Sequence, residues 1–183
     1  MYLSAAVTVN RPRDEVYRLW CDVEGFPRFM AHLESVERAG GGRSRWRATA
    51  PGGRTVEWEA EVVEDVPNER VSWRSLPGAD VRNAGSVRFV SAPGDLGTEI
   101  HVELRYELPA GRVAALVAKV FGEDPTQGVK DDLRRFKQVA ELGEVVRSEG
   151  SPEGVHAART RRQRPAQPLP EPETVQAVAG ETP

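Results

Sequence analysis

The features that this sequence lacks narrow its class before any motif is considered. Its 183 residues include one cysteine, Cys21, which excludes an intrachain disulfide. No apolar run approaches the roughly 18 to 20 residues that a transmembrane helix requires. The N-terminal residues show no basic segment followed by a long apolar run of the kind that directs secretion. We therefore expect a cytoplasmic protein without a transmembrane segment.

The sequence also lacks a basic excess and has few histidines and cysteines. The 25 Lys and Arg residues are outnumbered by 28 Asp and Glu, giving a net charge of -3, whereas nucleic-acid-binding proteins usually carry a basic excess. Of the three histidines, His101 falls among charged residues and His156 in a polar C-terminal segment. Only His32 could reach a pocket, and no second histidine or cysteine is in register with it. We expect no metal, no cofactor and no nucleic-acid partner.

The stretch TVEWEAEVVED, residues 55–65, alternates apolar and acidic side chains. Strict alternation is typical of a half-buried strand, because successive side chains point to opposite faces of the sheet. Similar runs lie between His32 and Leu108, separated by short turns rich in glycine and proline at 39–43, 51–54, 67–69 and 92–97. Short connections of this kind predict an antiparallel meander. The apolar parity of the quoted strand comprises Val56, Trp58, Ala60 and Val62; the acidic parity comprises Glu57, Glu59 and Glu61.

The acidic parity is best explained by neighbouring arginines. Arg45 and Arg47 precede the glutamate strand and Arg74 follows it, so opposite charges can face each other across adjacent strands. We predict a solvated outer sheet face of cross-strand ion pairs. A metal or cation site on this face is a weaker alternative.

The two ends of this region have helical patterns. After a first strand, YLSAAVTV, the segment NRPRDEVYRLWCDV predicts a helix with Pro12 in its first turn, and EGFPRFM predicts a short helix or turn. Beyond Leu108, RVAALVAKVFG and DPTQGVKDDLRRFKQVAELGEVV have a period of 3.6, which predicts a long amphipathic helix broken near Gly122. Asp124 is the predicted N-cap, and Asp131 is expected to pair with Arg135 on the exposed side.

The last 36 residues differ in composition from the rest of the chain. Residues 148–183 are rich in proline and poor in large apolar side chains, which is typical of disorder. We predict one domain over residues 1–147 and a disordered tail over 148–183. The role of the arginine cluster in this tail is left open.

The order of these segments resembles the helix-grip superfamily, which includes the START-type and SRPBCC proteins. Within it, the sequence is similar to the polyketide cyclase/dehydrase and coenzyme-Q-binding START-type family over about residues 3–145. The resemblance implies an α+β fold in which a seven-stranded antiparallel curved sheet wraps around a long C-terminal helix, with two short helices between strands 1 and 2. It rests on VTVNRPRDEVYRLWCDVEGFPRFMAHLESVE, VEWEAEVVEDVPNERVSWRSLPG, NAGSVRF, GTEIHVELRYELPAG and DDLRRFKQVAE.

A curved sheet that grips one helix diverges from it at one end, and the gap forms a pocket. We expect this pocket to bind a hydrophobic small molecule, such as a quinone, isoprenoid, acyl lipid or polyketide, and to open near Phe26, Phe29 and Met30. The predicted apolar lining is Phe26, Phe29, Met30, Trp46, Trp58, Trp73, Phe89, Leu104, Tyr106, Val117, Val120, Phe121, Leu133 and Phe136. The predicted polar rim is His32, Asp80, Arg82 and Asn83.

Two other functions remain as alternatives. The family name implies an aromatic polyketide cyclase/dehydrase-type enzyme, but the inward parity of the strands offers almost no polar groups besides Tyr106 and Ser75. No Ser-His-Asp order, phosphate-binding loop or paired inner carboxylates can be assembled. An inward acid–base pair would favour the enzyme. A protein-interaction or chaperone-like module is the second alternative, while transient membrane-surface contact and the oligomeric state are left open.

Overall fold

The computed structural model describes residues 1–50, 54–107 and 125–146. All the elements described below lie within one compact unit, Met1–Val145. The predicted helix over 111–121, the break at Gly122, the cap at Asp124 and the tail over 148–183 lie outside the described residues. The elements are β1 (Tyr2–Val9), α1 (Arg13–Cys21), a 3-10 helix (Val23–Arg28), β2 (Leu33–Gly40), β3 (Arg43–Ala50), β4 (Arg54–Val66), β5 (Arg70–Ser75), β6 (Arg82–Ser91), a 3-10 turn (Pro93–Asp95), β7 (Thr98–Glu107) and α2 (Pro125–Leu142).

The strands form one antiparallel sheet in the order β1-β7-β6-β5-β4-β3-β2. From β2 to β7, each strand pairs with the next along the chain, as the short turns predict. β1 adds to the far side of β7, where Leu3 pairs with Leu104. The helix α2 contacts β1, and the 3-10 helix contacts β2. This arrangement confirms the predicted helix-grip fold: a seven-stranded curved sheet, a C-terminal helix and two short helices between β1 and β2.

The parity of β4 agrees with its alternation over the first part of the strand. Val56, Trp58 and Ala60 are buried, whereas Glu57 is exposed and Glu59 and Glu61 are partly exposed. The register places each glutamate beside an arginine on a neighbouring strand, as predicted. The resulting ion pairs are Arg47–Glu57 at 2.7 Å, Arg45–Glu59 at 2.9 Å and Arg74–Glu61 at 2.8 Å.

A β-bulge interrupts the second part of β4. Val62 pairs with Trp73 and Glu64 with Ser72, so Val63 is an extra residue between two ladder positions. A single inserted residue reverses the alternation that follows it. Asp65 therefore pairs with the buried Val71 on the inner face, contrary to its parity in the sequence. Val62, which belongs to the predicted apolar parity, is 44% exposed beside this bulge.

The hydrophobic core fills one end of the inner face of the sheet. Val87, Phe89 and Ile100 are almost fully buried there. Trp20 of α1 packs edge-on against Phe89 and against Phe136 of α2, with ring centroids 6.4 and 5.2 Å apart. Because α1 lies over β6, its side chains occupy the space between the sheet and α2 at this end.

The C-terminal end of α2 is anchored to residues that precede and follow α1. Arg11 donates from Nε to the Ala140 carbonyl at 3.1 Å and from Nη2 to the Glu141 carbonyl at 2.6 Å. Arg28 donates to the Gly143 carbonyl. These cations satisfy helix-terminal carbonyls and complement the helix dipole. No helix in the described part of the chain is long and apolar enough to cross a membrane.

Candidate functional site

A cavity of about 700 Å³ lies at the other end of the inner face. Its lining comes from β2 to β7, the end of α1, the 3-10 helix and the first turns of α2. This volume falls within the range of about 300 to 1,000 Å³ that is usual for small-molecule sites. The divergence of sheet and helix thus leaves enough space for a ligand of moderate size.

Stacked aromatic rings form one wall of this cavity. Trp46 and Trp58 pair directly across β3 and β4, with centroids 5.9 Å apart and planes inclined by 14°. Phe26 of the 3-10 helix meets the edge of Trp46 at 5.5 Å. The Trp46 indole Nε1 donates to Ser44 Oγ at 2.8 Å, so its polar group already has a partner. The wall therefore offers broad apolar ring surfaces.

A glycine makes room for the third tryptophan of the lining. Gly85 pairs with Trp73 on β5 and with Leu104 on β7. A Cβ atom at Gly85 would lie 2.6 Å from Trp73 Cζ2 and 2.7 Å from Leu104 Cδ2. Because glycine has no side chain, the Trp73 indole and the Leu104 side chain can approach this part of the backbone.

A polar group stands opposite the aromatic wall, on the inner side of α2. Asp132 is only 7% exposed, and its Oδ1 accepts a hydrogen bond from Arg135 Nη2 at 2.6 Å. Arg135 Nε also donates to the Phe29 carbonyl at 2.6 Å. The predicted pairing of Asp131 with Arg135 on the exposed side is therefore wrong. Arg135 is engaged with a buried carboxylate and a main-chain carbonyl, while Asp131 pairs with the exposed Arg134 at 3.0 Å.

His32 and Tyr106 complete this polar group. His32 Nδ1 lies 3.9 Å from Asp132 Oδ2. Burial, assisted by the nearby positive charge of Arg135, lowers the pKa of His32 to about 4. Burial raises the pKa of Asp132 to about 6, although the hydrogen bond from Arg135 opposes the shift. Burial also raises the pKa of Tyr106. At pH 7 the imidazole and the phenol are neutral, and the carboxyl titrates within reach of neutral pH.

The structure brings most of the predicted site residues to the cavity, although it does not test their binding role. Eleven of them line it: Phe26, Phe29, Met30, His32, Trp46, Trp58, Trp73, Asn83, Leu104, Tyr106 and Leu133. Val117, Val120 and Phe121 lie outside the described residues.

Four predicted site residues lie elsewhere. Phe89 and Phe136 are 2% and 0% exposed within the close-packed core, because the rings of α1 cover them. Asp80 and Arg82 are exposed in the β5–β6 connection and at the start of β6. Arg82 Nη1 faces Glu107 on the neighbouring strand at 3.8 Å rather than the cavity.

Of the three residues expected at the opening, Phe26 and Phe29 are buried and Met30 is half-buried. Exposed lining residues in the described part of the chain instead include the β2–β3 hairpin, Gly40–Gly42, and nearby Val62. All three glycines have positive φ angles, between 59° and 78°, which other residues adopt only with strain. This hairpin is therefore an exposed part of the described lining.

Sequence reasoning missed Asp132, Arg135 and Asp65, all of which contribute to the lining. Asp132 follows Val129 by three residues and precedes Phe136 by four, so helical periodicity already placed it on the apolar side. A charged residue at such a position is the usable signal. The signal for Asp65 is the adjacent pair Val62 and Val63, which interrupts the alternation where the bulge lies. Its carboxylate accepts a hydrogen bond from the Tyr17 hydroxyl at 2.7 Å.

Among the described residues, no group of three or more His, Cys, Asp or Glu side chains could hold a metal ion. The described lining combines aromatic surfaces with the carboxyl–imidazole–guanidinium group of Asp132, His32 and Arg135.

An antiparallel sheet that curves around a C-terminal helix and encloses a cavity beside it defines a helix-grip protein. The chain belongs to the polyketide cyclase/dehydrase and lipid transport family, whose sequence profile matches residues 9–134. This membership confirms the resemblance inferred from the sequence motifs.

Three relatives illustrate this family and fold. An uncharacterized 17.2 kDa protein in the melC2-rnhH intergenic region of Streptomyces lincolnensis is 31% identical over 136 residues, covering 74% of this chain and 87% of that protein. The crystal structure of DR_A0006 from Deinococcus radiodurans is 43% identical with a TM-score of 0.62, covering 78% and 99%. The ZhuI aromatase/cyclase from Streptomyces sp. R1128 is 18% identical with a TM-score of 0.58, covering 80% and 99%; this similarity concerns the fold alone.

Proposed function

We propose that this protein binds a hydrophobic small molecule in the cavity between the sheet and α2. The observation that carries the proposal is a space of about 700 Å³ with an aromatic wall, to which Asp132, His32 and Arg135 contribute a polar group from the side of α2. Quinones, isoprenoids, acyl lipids and polyketides all combine a large apolar body with few polar atoms. The family description, which includes lipid transport, supports this class of ligand.

The arrangement of the lining supports binding over simple core packing. The ring of Trp46 contacts Phe26 edge-on and stacks on Trp58. A flat or flexible apolar ligand would bury further ring surface, at about 25 cal/mol for each Å² removed from water. Asp132 and His32 would then fix the orientation of its polar end. In small-molecule sites a small number of polar groups commonly has this role.

Native mass spectrometry of the purified full-length chain, followed by organic extraction, tests this proposal directly. We expect a small apolar molecule to be retained at a 1:1 ratio, or to bind in that ratio when a panel of quinones and acyl lipids is added. Quenching of the cavity tryptophans should report the same event. If no member of the panel binds and no molecule is extracted, the binding proposal is wrong.

Filling the cavity distinguishes a binding space from a closed core. Ala60 lies on the inner face of β4 and lines the cavity, so Ala60→Trp should fold with little loss of stability and should abolish binding. Ala48, on neighbouring β3, is 0% exposed and is not part of the lining. Ala48→Trp, the matched control, should overpack and lose about 1 to 3 kcal/mol or more. Equal destabilisation of both variants in urea denaturation would indicate that Ala60 is also close-packed.

An aromatic polyketide cyclase/dehydrase-type activity is the second candidate function. It is favoured by one observation: Asp132 lies 3.9 Å from His32 beside the cavity, and the two groups have pKa values displaced in opposite directions. Such a pair could supply an acid and a base for loss of water from a β-hydroxy ketone. Turnover of a poly-β-keto substrate by the wild type, lost in His32→Gln with binding retained, is the expected result. Binding without turnover would leave the carrier function alone.

A further inference from the structure

We propose that the cavity selects a neutral ligand whose polar end is an uncharged hydroxyl donating to Asp132, and that it rejects lipid anions such as carboxylates. This inference rests on the proposed binding function and adds the chemical class of the ligand. It follows from the charges around the cavity and from their partners.

Among the described residues, the charged side chains that line the cavity include no excess of cations. Among the described lining residues there are three cations and four carboxylates, which sum to -1: Arg38, Arg43 and Arg135 against Glu61, Asp65, Asp131 and Asp132. A site built for an anion would show the opposite balance. Two of these carboxylates also pair with arginines outside the lining, Glu61 with Arg74 at 2.8 Å and Asp131 with Arg134 at 3.0 Å. The described lining residues themselves therefore offer an incoming carboxylate or phosphate no excess of positive charge.

The cations are also already engaged. Arg135 contacts Asp132 at 2.6 Å, and Arg43 faces Glu61 at 3.9 Å. Arg38 Nη2 donates to the Cys21 carbonyl at 2.8 Å. A ligand carboxylate at Arg135 would have to displace Asp132 or lie beside it. Either arrangement leaves a buried negative charge poorly compensated, which is a large cost in a protein interior.

A ligand hydroxyl, unlike a carboxylate, can bind without displacing Asp132 from Arg135. Asp132 Oδ1 accepts from Arg135, while Oδ2 is the oxygen oriented toward His32, 3.9 Å away. A carboxylate oxygen can accept more than one hydrogen bond, so a ligand phenol or alcohol can donate to Asp132 without disturbing its ion pair. The hydrogen bond gains strength because its acceptor is charged. The polar end thus adds no net charge to the cavity.

Three probes of similar shape test the inference at pH 7.5 with the wild-type protein: 9-anthracenemethanol, 9-methylanthracene and anthracene-9-carboxylate. Calorimetry and tryptophan quenching should rank the alcohol first and the carboxylate last. We expect a ratio of Kd values of at least about tenfold between them, which corresponds to about 1.4 kcal/mol. Equal binding of all three, or preference for the carboxylate, overturns the inference while leaving the binding function intact. Binding of none of them counts against the proposed function itself.

A charge substitution provides the second arm. Asp132→Asn removes the carboxylate that lies 2.6 Å from Arg135, so carboxylate affinity should rise about tenfold and alcohol affinity should fall. Asp14→Asn is the matched control, because Asp14 pairs with Arg18 on the exposed side of α1 and its side chain is 58% exposed. That control changes the net charge equally and should leave the ranking unchanged. Unaltered carboxylate affinity in folded Asp132→Asn contradicts the role given to Asp132. The wild-type ranking decides the inference even where this variant does not fold.

Discussion

The two ends of the inner sheet face contain similar aromatic and β-branched residues but are packed in different ways. At the core end, Phe89 and Phe136 are 2% and 0% exposed, and Trp20 of α1 fills the space between them. At the cavity end, Trp46 and Trp58 stack on each other and border open volume. The difference lies in what covers each end rather than in the strand residues. An aromatic-rich strand face therefore does not by itself predict a closed core or a ligand site.

The largest expected loss of stability follows from a substitution at the core end. Phe136→Ala removes a fully buried ring that contacts both Trp20 and Phe29, and should lower the free energy of unfolding by about 3 to 5 kcal/mol. Met30→Ala at the cavity end should cost only about 1 kcal/mol, because Met30 is half-buried and already borders space. Urea denaturation of the two variants measures the contrast. Similar losses would show that both ends are packed alike.

A smaller effect is expected where the cavity meets the sheet backbone. In Gly85→Ala, the new methyl group would approach Trp73 and Leu104 and would also lie 2.7 Å from the Glu103 carbonyl. Since that carbonyl belongs to the ladder, we expect a loss of about 1 to 3 kcal/mol together with a displaced Trp73. Thermal unfolding and the tryptophan emission maximum measure the two consequences. Unchanged emission with unchanged stability would contradict the close approach of Trp73 to this backbone.

The polar group of the cavity end predicts a pH dependence that the core end lacks. The pKa of Asp132 is raised to about 6 in the folded protein, so its contribution to stability is complete below pH 4 and is lost as the pH rises through 6. As the pH rises from 4 to 7, the difference in unfolding free energy between Asp132→Asn and wild type should therefore change by roughly 2 kcal/mol in favour of the variant. The difference in unfolding free energy, measured in urea at each pH, gives this trend.

His32 provides a control of opposite sign. Its pKa is lowered to about 4 when folded, so its contribution is present above pH 6.5 and is lost as the pH falls through 4. Relative to wild type, His32→Gln should lose stability as the pH rises over the same window. Parallel trends in the two variants would contradict the assigned shifts.

The sequence was sufficient for the fold because its signals are local. Alternation in β4 and the glycine-rich turns set the strand order, and the position of each arginine set its partner glutamate. The cavity was harder to predict, since it depends on which helix covers which strand. Phe89 and Trp58 both lie on the apolar face of an alternating strand, yet of the two only Trp58 lines the cavity. Asp132 lies among the apolar residues of its helix, and apolar periodicity alone does not single out a charged residue there. Asp65 lies beyond the bulge at Val63, whose sequence signal is the adjacent pair Val62 and Val63 that interrupts the alternation.

The smallest expected loss of stability concerns the outer face of the sheet, directly behind the cavity. Glu57 lies between Val56 and Trp58 in β4, and its carboxylate pairs with Arg47 at 2.7 Å in solvent. Both side chains are 47% exposed, so water and salt screen the pair and Glu57→Gln should cost only about 0.2 to 1 kcal/mol. Ligand affinity should not change, because the strand separates this carboxylate from the cavity. The loss should shrink further in 1 M salt, whereas the cost of Phe136→Ala should persist, since burial of an apolar ring is not screened. A weakened ligand complex in Glu57→Gln would show that the outer ion pairs help to hold the tryptophan wall in place.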